Sequence, residues 1–265
     1  MSKKLLNKTI KNYDKHAKEY HGHVTNTSDS IYHAFYEKPA LASLLPNLNG
    51  LKVLSFGCGS GTDLYLAKEQ KPAQIIGVDP SAGLLEIAQK DHPDVRFIKG
   101  GAEAIDLPEN SLDVIYSSLV MHYVEDWTST IRKLSNLLKP GGTFVFSCAH
   151  PIESATAYGQ TDDGSKYALV GRKIHKPTDD QQIFGNYMGF ENGGIVKKQG
   201  NLGSIEMEVY HRSFSRMIND IHDSGMQTEE VVEPIPLPEM KSIDKNTYER
   251  LNHLPVFILF RLVKS

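Results

Sequence analysis

Three glycines at alternate positions, Gly57, Gly59 and Gly61, follow the apolar run Leu51, Val53, Leu54 and Phe56. A second apolar run, Ile75-Ile76-Gly77-Val78, ends in an acid, Asp79, eighteen residues beyond Gly61. Glycine at that spacing permits the positive φ of a tight strand-to-helix turn and lets a ligand lie against bare backbone. A carboxylate closing the second strand is placed to accept hydrogen bonds from a ribose lying over the turn. The dinucleotide fingerprint G-x-G-x-x-G would need glycine at position 62, where the chain has Thr62, and this disfavours a nicotinamide dehydrogenase.

The G-x-G-x-G spacing with Asp79 behind it resembles the class I S-adenosylmethionine-dependent methyltransferases, and among them the bacterial small-molecule branch related to quinone C-methyltransferases. Gly100-Gly101-Ala102-Glu103, then Leu107-Pro108 and Ser111-Leu112-Asp113-Val114, resemble that family's path from its third strand into its fourth. The resemblance implies an α/β fold, a Rossmann-like doubly wound sheet of seven strands, mostly parallel with an antiparallel last strand. It also implies an N-terminal helical lid over residues 1–48. The methyltransferase domain would cover 49–265, with an insertion after strand five at about 152–210. The implied cofactor is S-adenosyl-L-methionine, held by Tyr20, Gly57, Cys58, Gly59, Gly61, Asp79, Pro80, Ala102, Glu103 and Ser118. The implied reaction is in-line methyl transfer to a small-molecule acceptor, with His122 and Tyr187 in the acceptor pocket. The alternative is a non-catalytic protein of the same fold that binds S-adenosylmethionine or S-adenosylhomocysteine.

Two positions depart from the family pattern. Ser55 stands where members commonly carry an acid, and Gly101 where an Asp commonly receives the adenine amino group. Each missing charge-assisted bond is worth about 1.5–3 kcal/mol of cofactor affinity. Asp63 and Glu103 are the acids able to substitute.

The elements that must position these residues alternate between strand and helix. Strands are expected at Leu51–Phe56, up to Asp79, at Val95–Lys99, Leu112–Ser117 and Thr143–Cys148. Helices are expected over Thr62–Gln70, after a Ser81 cap with Leu84, Ile87 and Ala88 inward, and over Trp127–Leu138 before Pro140-Gly141-Gly142. Such repeated units make a parallel sheet covered on both faces, and ligands bind beyond its carboxyl edge. His150 ends the fifth strand at that edge, and histidine titrates near neutrality, so it is the candidate general base. Ahead of the sheet, Leu6, Ile10, Tyr13, Ala17 and Tyr20 form one helical stripe, and a second helix is expected over Ile31–Leu45, restarted at Pro39, which suits a first-turn position. Turn signals at Asp162-Asp163-Gly164 and Asn192-Gly193-Gly194, with Tyr158, Tyr167, Phe184, Tyr187 and Phe190 between, read as hairpins of an insertion. Ser213 caps a helix with Phe214, Met217, Ile218 and Ile221 on one face; Thr228–Glu233 and Val256–Val263 supply the last strands.

The 265 residues carry 29 Lys and Arg against 32 acids, a formal charge of -3, which does not suit a nucleic-acid polymer as partner. Two separated cysteines and scattered histidines fit no metal site, and no apolar run is long enough for a membrane span. A soluble, cytoplasmic protein is expected.

Overall fold

The computed structural model describes residues 3–161, 163–175, 177–178, 180–189, 195–202 and 205–265. The Leu6 side chain, Asp162, Phe190 and Asn192-Gly193-Gly194 lie outside what is described. The chain opens with helices Lys3–Lys15 (α1) and Ala17–Thr25 (α2), a π turn at His33–Glu37, and Lys38–Leu44 (α3). Then come Lys52–Phe56 (β1), Tyr65–Lys68 (α4), Gln74–Asp79 (β2), Ala82–Asp91 (α5), Arg96–Lys99 (β3), Leu112–Ser117 (β4), Trp127–Leu137 (α6) and Leu138–Ala149 (β5). The insertion holds Pro151–Ala155 (α7) and three antiparallel hairpins: Ala157–Gln160 (β6) with Lys166–Leu169 (β7), Gly171–His175 (β8) with Asp180–Phe184 (β9), and Ile195–Leu202 (β10) with Ile205–Arg212 (β11). Phe214–Ser224 (α8), Met226–Val232 (β12), Met240–Ile243 (α9), Lys245–Leu251 (α10) and Phe257–Lys264 (β13) finish the chain.

The main sheet has seven strands in the order β12-β13-β5-β4-β1-β2-β3. Strands β1 to β5 pair in parallel, and β13 runs antiparallel to both β5 and β12. Side chains alternate across each strand, so adjacent residues serve opposite faces. Leu54, Ile115, Phe144, Phe146 and Phe260 join Trp127, Ile131 and Leu134 of α6 and Met217 and Ile221 of α8 in one core. Val53, Val114, Tyr116, Val145 and Leu259 meet Leu41 and Leu44 of α3 on the other face. Burial on both faces is what a parallel sheet demands of its sequence. Trp127, buried at the centre, donates its indole N–H to the Met121 carbonyl at 2.7 Å, so no polar atom is stranded there.

Local chemistry starts and stops the helices. The Ser81, Asp126 and Ser213 side chains accept N–H bonds from Leu84, Ser129 and Arg216, and Gly225 at φ +87° ends α8. Three expectations need correction. The helix expected over Thr62–Gln70 is only Tyr65–Lys68, because Leu64, Leu66 and Ala67 donate to carbonyls three residues back and keep the segment in tight turns. On α5, Leu84, Leu85 and Ala88 are the buried residues, not Ile87. Phe214 is exposed, not part of the inward face. The helix expected over Ile31–Leu45 widens at His33–Glu37 for a visible reason. Pro39 has no N–H for the Phe35 carbonyl and its ring crowds that oxygen; Leu237 N–H takes the carbonyl instead, at 2.7 Å.

Candidate cofactor site

The glycine turn leaves β1 with all three glycines at positive φ: +74° at Gly57, +53° at Gly59 and +81° at Gly61. Their surroundings differ. A methyl group on Gly57 would sit 2.2 Å from Val120, and one on Gly61 2.7 Å from His92. On Gly59 it would meet nothing nearer than 3.9 Å, where Leu84 and the Tyr20 ring stand. Gly57 and Gly61 therefore have packing reasons to be glycine, whereas a side-chain carbon at Gly59 would make only ordinary contacts with Leu84 and Tyr20. Gly57 and Cys58 both donate N–H bonds to the Val78 carbonyl, which ties the turn to the end of β2.

Asp79 locks the same turn. One carboxylate oxygen accepts Gly59 N–H at 2.9 Å and the other Ser81 N–H at 2.8 Å. Burial pushes its carboxyl up to about 6, against the pull of those two bonds. Pro80 sits in the turn between them. Asp14 of α1 reaches the same corner, accepting Ser81 Oγ at 2.6 Å and Gly83 N–H at 2.9 Å. This docks α1 on the start of α5. Further along, Tyr13 packs edge-on against Tyr20 and its hydroxyl lies 2.9 Å from that of Tyr123. Burial raises the Tyr20 and Tyr123 phenols well above their ordinary value, so both stay protonated at neutral pH.

Gly100 N–H bonds the Asp79 carbonyl at 2.9 Å, bringing the segment after β3 to this corner. Gly101 has φ -91°, which any residue adopts, but a methyl group there would lie 2.6 Å from the Glu103 carboxylate. Glu103 folds back to accept Gly101 N–H at 3.2 Å, over the buried Ala102. An acid thus occupies the space above Gly101, arriving from two residues later.

Beyond β4 the backbone turns through Leu119 at φ +53°, whose N–H is held at 2.8 Å by Ser147 Oγ of β5. Ser147 and Ser118 both donate to one oxygen of Glu37, at 2.5 and 3.1 Å. Glu37 is fully buried, and its other oxygen has no partner. Burial, with Asp63 nearby, pushes its carboxyl up to about 7, although both serines pull the other way. Asp63 pairs with Lys38, 2.7 Å away, and borders the same cavity as Tyr20 and Ser118. Of the expected cofactor residues, Tyr20, Gly57, Cys58, Gly59 and Ser118 line one cavity of about 20 Å³. His33 and Ser60 line it as well; Ser60 stands inside the glycine run, whereas nothing in the local sequence marks His33. Burial holds His33 down at about 4 and hence neutral, while Ser60 Oγ is buried without a partner.

His150 does not fit its expected role as general base. Its Nδ1 accepts Ile152 N–H at 3.1 Å, so the ring proton sits on Nε2, which faces Glu233 at 2.9 Å. Both nitrogens are engaged in capping α7 and pairing with Glu233. His122 accepts Ala149 N–H on Nδ1 at 3.3 Å and stacks beside Tyr123; burial, with Arg212 nearby, holds it down at about 4. Tyr187 takes Phe214 N–H on its hydroxyl and His211 Nε2 on its carbonyl, and neither it nor His122 lines the cavity. Among the described residues no group of three or more His, Cys, Asp or Glu is arranged to hold a metal, and no helix is long and apolar enough to cross a membrane.

The family described as "Methyltransferase domain" matches residues 54–146, which run from β1 through β5. An uncharacterized protein of Haemophilus influenzae is 30% identical over 236 residues, covering 86% of this chain and 87% of that one. A solved S-adenosylmethionine-dependent methyltransferase from Mesorhizobium loti superposes with a TM-score of 0.68 at 28% identity, over 86% of this chain and 97% of its own. The ubiquinone/menaquinone biosynthesis C-methyltransferase of Campylobacter jejuni is 31% identical over 101 residues, only 36% of this chain and 43% of that enzyme. The residues present suit such a cofactor: bare backbone at Gly59 lines the cavity without close neighbours, and Ser60 Oγ and a Glu37 oxygen are buried polar atoms without partners. With its strand order, its glycine turn and these relatives, the chain belongs to the class I S-adenosylmethionine-dependent methyltransferases and uses S-adenosylmethionine as its cofactor.

Proposed function

We propose that this enzyme transfers the methyl group to a small-molecule acceptor by in-line displacement at the carboxyl edge of the sheet. One observation carries the reading: Gly59 after β1 and Ser118 after β4 line one cavity with Tyr20 and His33 of the N-terminal segment, and Asp79 at the end of β2 holds Gly59 N–H. In this reading Gly57, Cys58, Gly59 and Gly61 lie under the cofactor. Asp79 and Pro80 flank its ribose, Ala102 and Glu103 its adenine, and Ser118 and Tyr20 close its methionine end. The bound cofactor supplies a methyl group on a sulfonium with a good leaving group. The protein's own task is to align the acceptor and exclude water. Tyr20 and Tyr13, packed edge-on, form the water-excluding wall.

Residues 1–48 act as a lid in this account. The cavity beneath them has room for about one water, so admitting the cofactor requires Tyr20 and His33 to move outward. The insertion at about 152–210 forms the acceptor side, with His122 and Tyr187 as its candidate polar groups. Because His150 has no free nitrogen lone pair, the acceptor is one whose nucleophile needs no base from that position. Two buried, unpaired thiols, Cys58 and Cys148, suit the reducing cytoplasm. The test is label transfer from methyl-labelled cofactor across a panel of phenols, amines, thiols and activated carbon acids. Labelled product from one class identifies the acceptor. A non-catalytic binding protein is the second reading, favoured by the committed nitrogens of His150; saturable cofactor binding with no transfer across the panel would support it.

A further inference from the structure

Glu37 combines features that an ordinary structural carboxylate does not. It is fully buried, yet of its two oxygens only Oε1 is bonded, by Ser118 and Ser147, and Oε2 has no donor. A buried acceptor left unpaired is costly, and native folds keep few of them without a use. The nearby cation that could neutralise it, Lys38, is held 2.7 Å from Asp63. Asp79 is bonded through both oxygens, so it is not left in the same condition. Glu37 also sits on the π turn at His33–Glu37, one turn from His33, which lines the cavity, and one hydrogen bond from Ser118, which lines it too. Widened turns of this kind often occur at functional positions.

We infer that Glu37 is a cofactor-binding residue whose Oε2 receives the ammonium group at the methionine end of S-adenosylmethionine, with Ser118 and Ser147 fixing the carboxylate through Oε1. The inference rests on the cofactor assignment above and adds to it a residue outside the glycine turn. A cation with N–H donors is what a buried, unpaired carboxylate oxygen selects. The adenosine end of the ligand has no cationic group, so the two ends separate the roles. Glu37 also links the N-terminal segment to the ends of β4 and β5. Engagement of the ammonium would therefore hold the lid shut from its hinge side.

Two ligands test this by calorimetry on the full chain: S-adenosylhomocysteine, which carries the ammonium, and 5′-methylthioadenosine, which lacks the amino-acid end. Glu37→Gln is isosteric and keeps acceptor and donor capacity toward both serines. It is expected to weaken S-adenosylhomocysteine by about ten- to a hundredfold and to leave 5′-methylthioadenosine unchanged. A second measurement needs no variant. With its carboxyl pushed up to about 7, Glu37 holds its proton part of the time at neutral pH, so binding the ammonium should expel a fraction of a proton from the wild type. Titrations in buffers of different ionisation enthalpy read that proton with S-adenosylhomocysteine and none of it with 5′-methylthioadenosine. The other charged or titratable groups around Glu37 are Asp63, Lys38, the neutral His33 and the phenols of Tyr20 and Tyr65. Equal loss of both ligands in Glu37→Gln, or no loss of either, would overturn the role of Glu37 while leaving the cofactor standing. Failure of the wild type to bind either ligand would overturn both.

Discussion

Gly59 adopts φ +53° in a place where a side chain would have room, and Gly57 adopts +74° where it would not. The two positions should therefore fail differently. Gly59→Ala strains the backbone by about 1–2 kcal/mol and should fold, with a modest loss in melting temperature, while its methyl group obstructs the cofactor and abolishes binding. Gly57→Ala drives a methyl into Val120 and should lose the fold along with the site. Retained cofactor affinity in a folded Gly59→Ala would reduce the turn to a connection. Glu37 gives a residue-scale prediction about stability. Its folded carboxyl lies near 7 against an ordinary 4.5, so the native state holds a proton that the unfolded chain releases. That contribution is fully present below about 4.5 and is lost as pH rises through 7. Relative to wild type, Glu37→Gln should then gain up to about 3 kcal/mol between pH 4.5 and 8, read by urea titration at several pH values. A flat difference would mean that burial costs Glu37 nothing. At Gly101, Glu103 already fills the space an Asp would need, so Gly101→Asp should bring no gain in affinity, whereas Glu103→Ala should weaken the cofactor.

Helices α1 and α2 are held to α5 and to β11 by specific contacts. Asp14 supplies two of them, to Ser81 Oγ and Gly83 N–H, while Asn12 and Thr9 bond the backbone of β11 at Glu206 and Glu208. Losing the Asp14 pair should cost about 1–2 kcal/mol of docking. Asp14→Ala is accordingly expected to speed amide exchange from Thr9 to Thr25 and to hasten cofactor release, with β1, β4 and β5 unaffected. Exchange that is unchanged in that segment would argue against a lid. The insertion is separable in another sense. Among the described residues, hairpins β6–β7 and β8–β9 pair only within themselves, and Asn186 N–H reaches the Ala155 carbonyl at 3.1 Å, so the ends of that excursion already meet. Removing residues 157–184 and joining Thr156 to Gly185 should preserve cofactor affinity and change or abolish methyl transfer. Loss of cofactor binding would mean that the hairpins support the glycine turn.

Across the whole molecule, what could be read in advance is what local chemistry decides. The glycine spacing, the acid ending β2, the Ser81 and Ser213 caps and the doubly buried run of β4 all depend on neighbours in sequence and lie where expected, whereas β5 starts at Leu138, ahead of the expected Thr143, and runs through Pro140-Gly141-Gly142. Glu37 could not be read that way. Its hydrogen-bond partners are Ser118 and Ser147, 81 and 110 residues away, and only Pro39 marks the helix around it as interrupted. His150 was misread for the same reason: its place at the strand end was right, but Glu233, 83 residues on, and the cap of α7 take up its nitrogens. Asp14 likewise takes its role from Ser81 and Gly83, 67 and 69 residues away. The central claim joins these pieces at one sheet edge, and a single calorimetric experiment reaches it most directly: wild-type protein titrated with S-adenosylmethionine, S-adenosylhomocysteine and NAD. The account predicts one saturable site for the first two and no heat of binding for NAD. Binding of NAD with neither sulfur ligand engaged would contradict it.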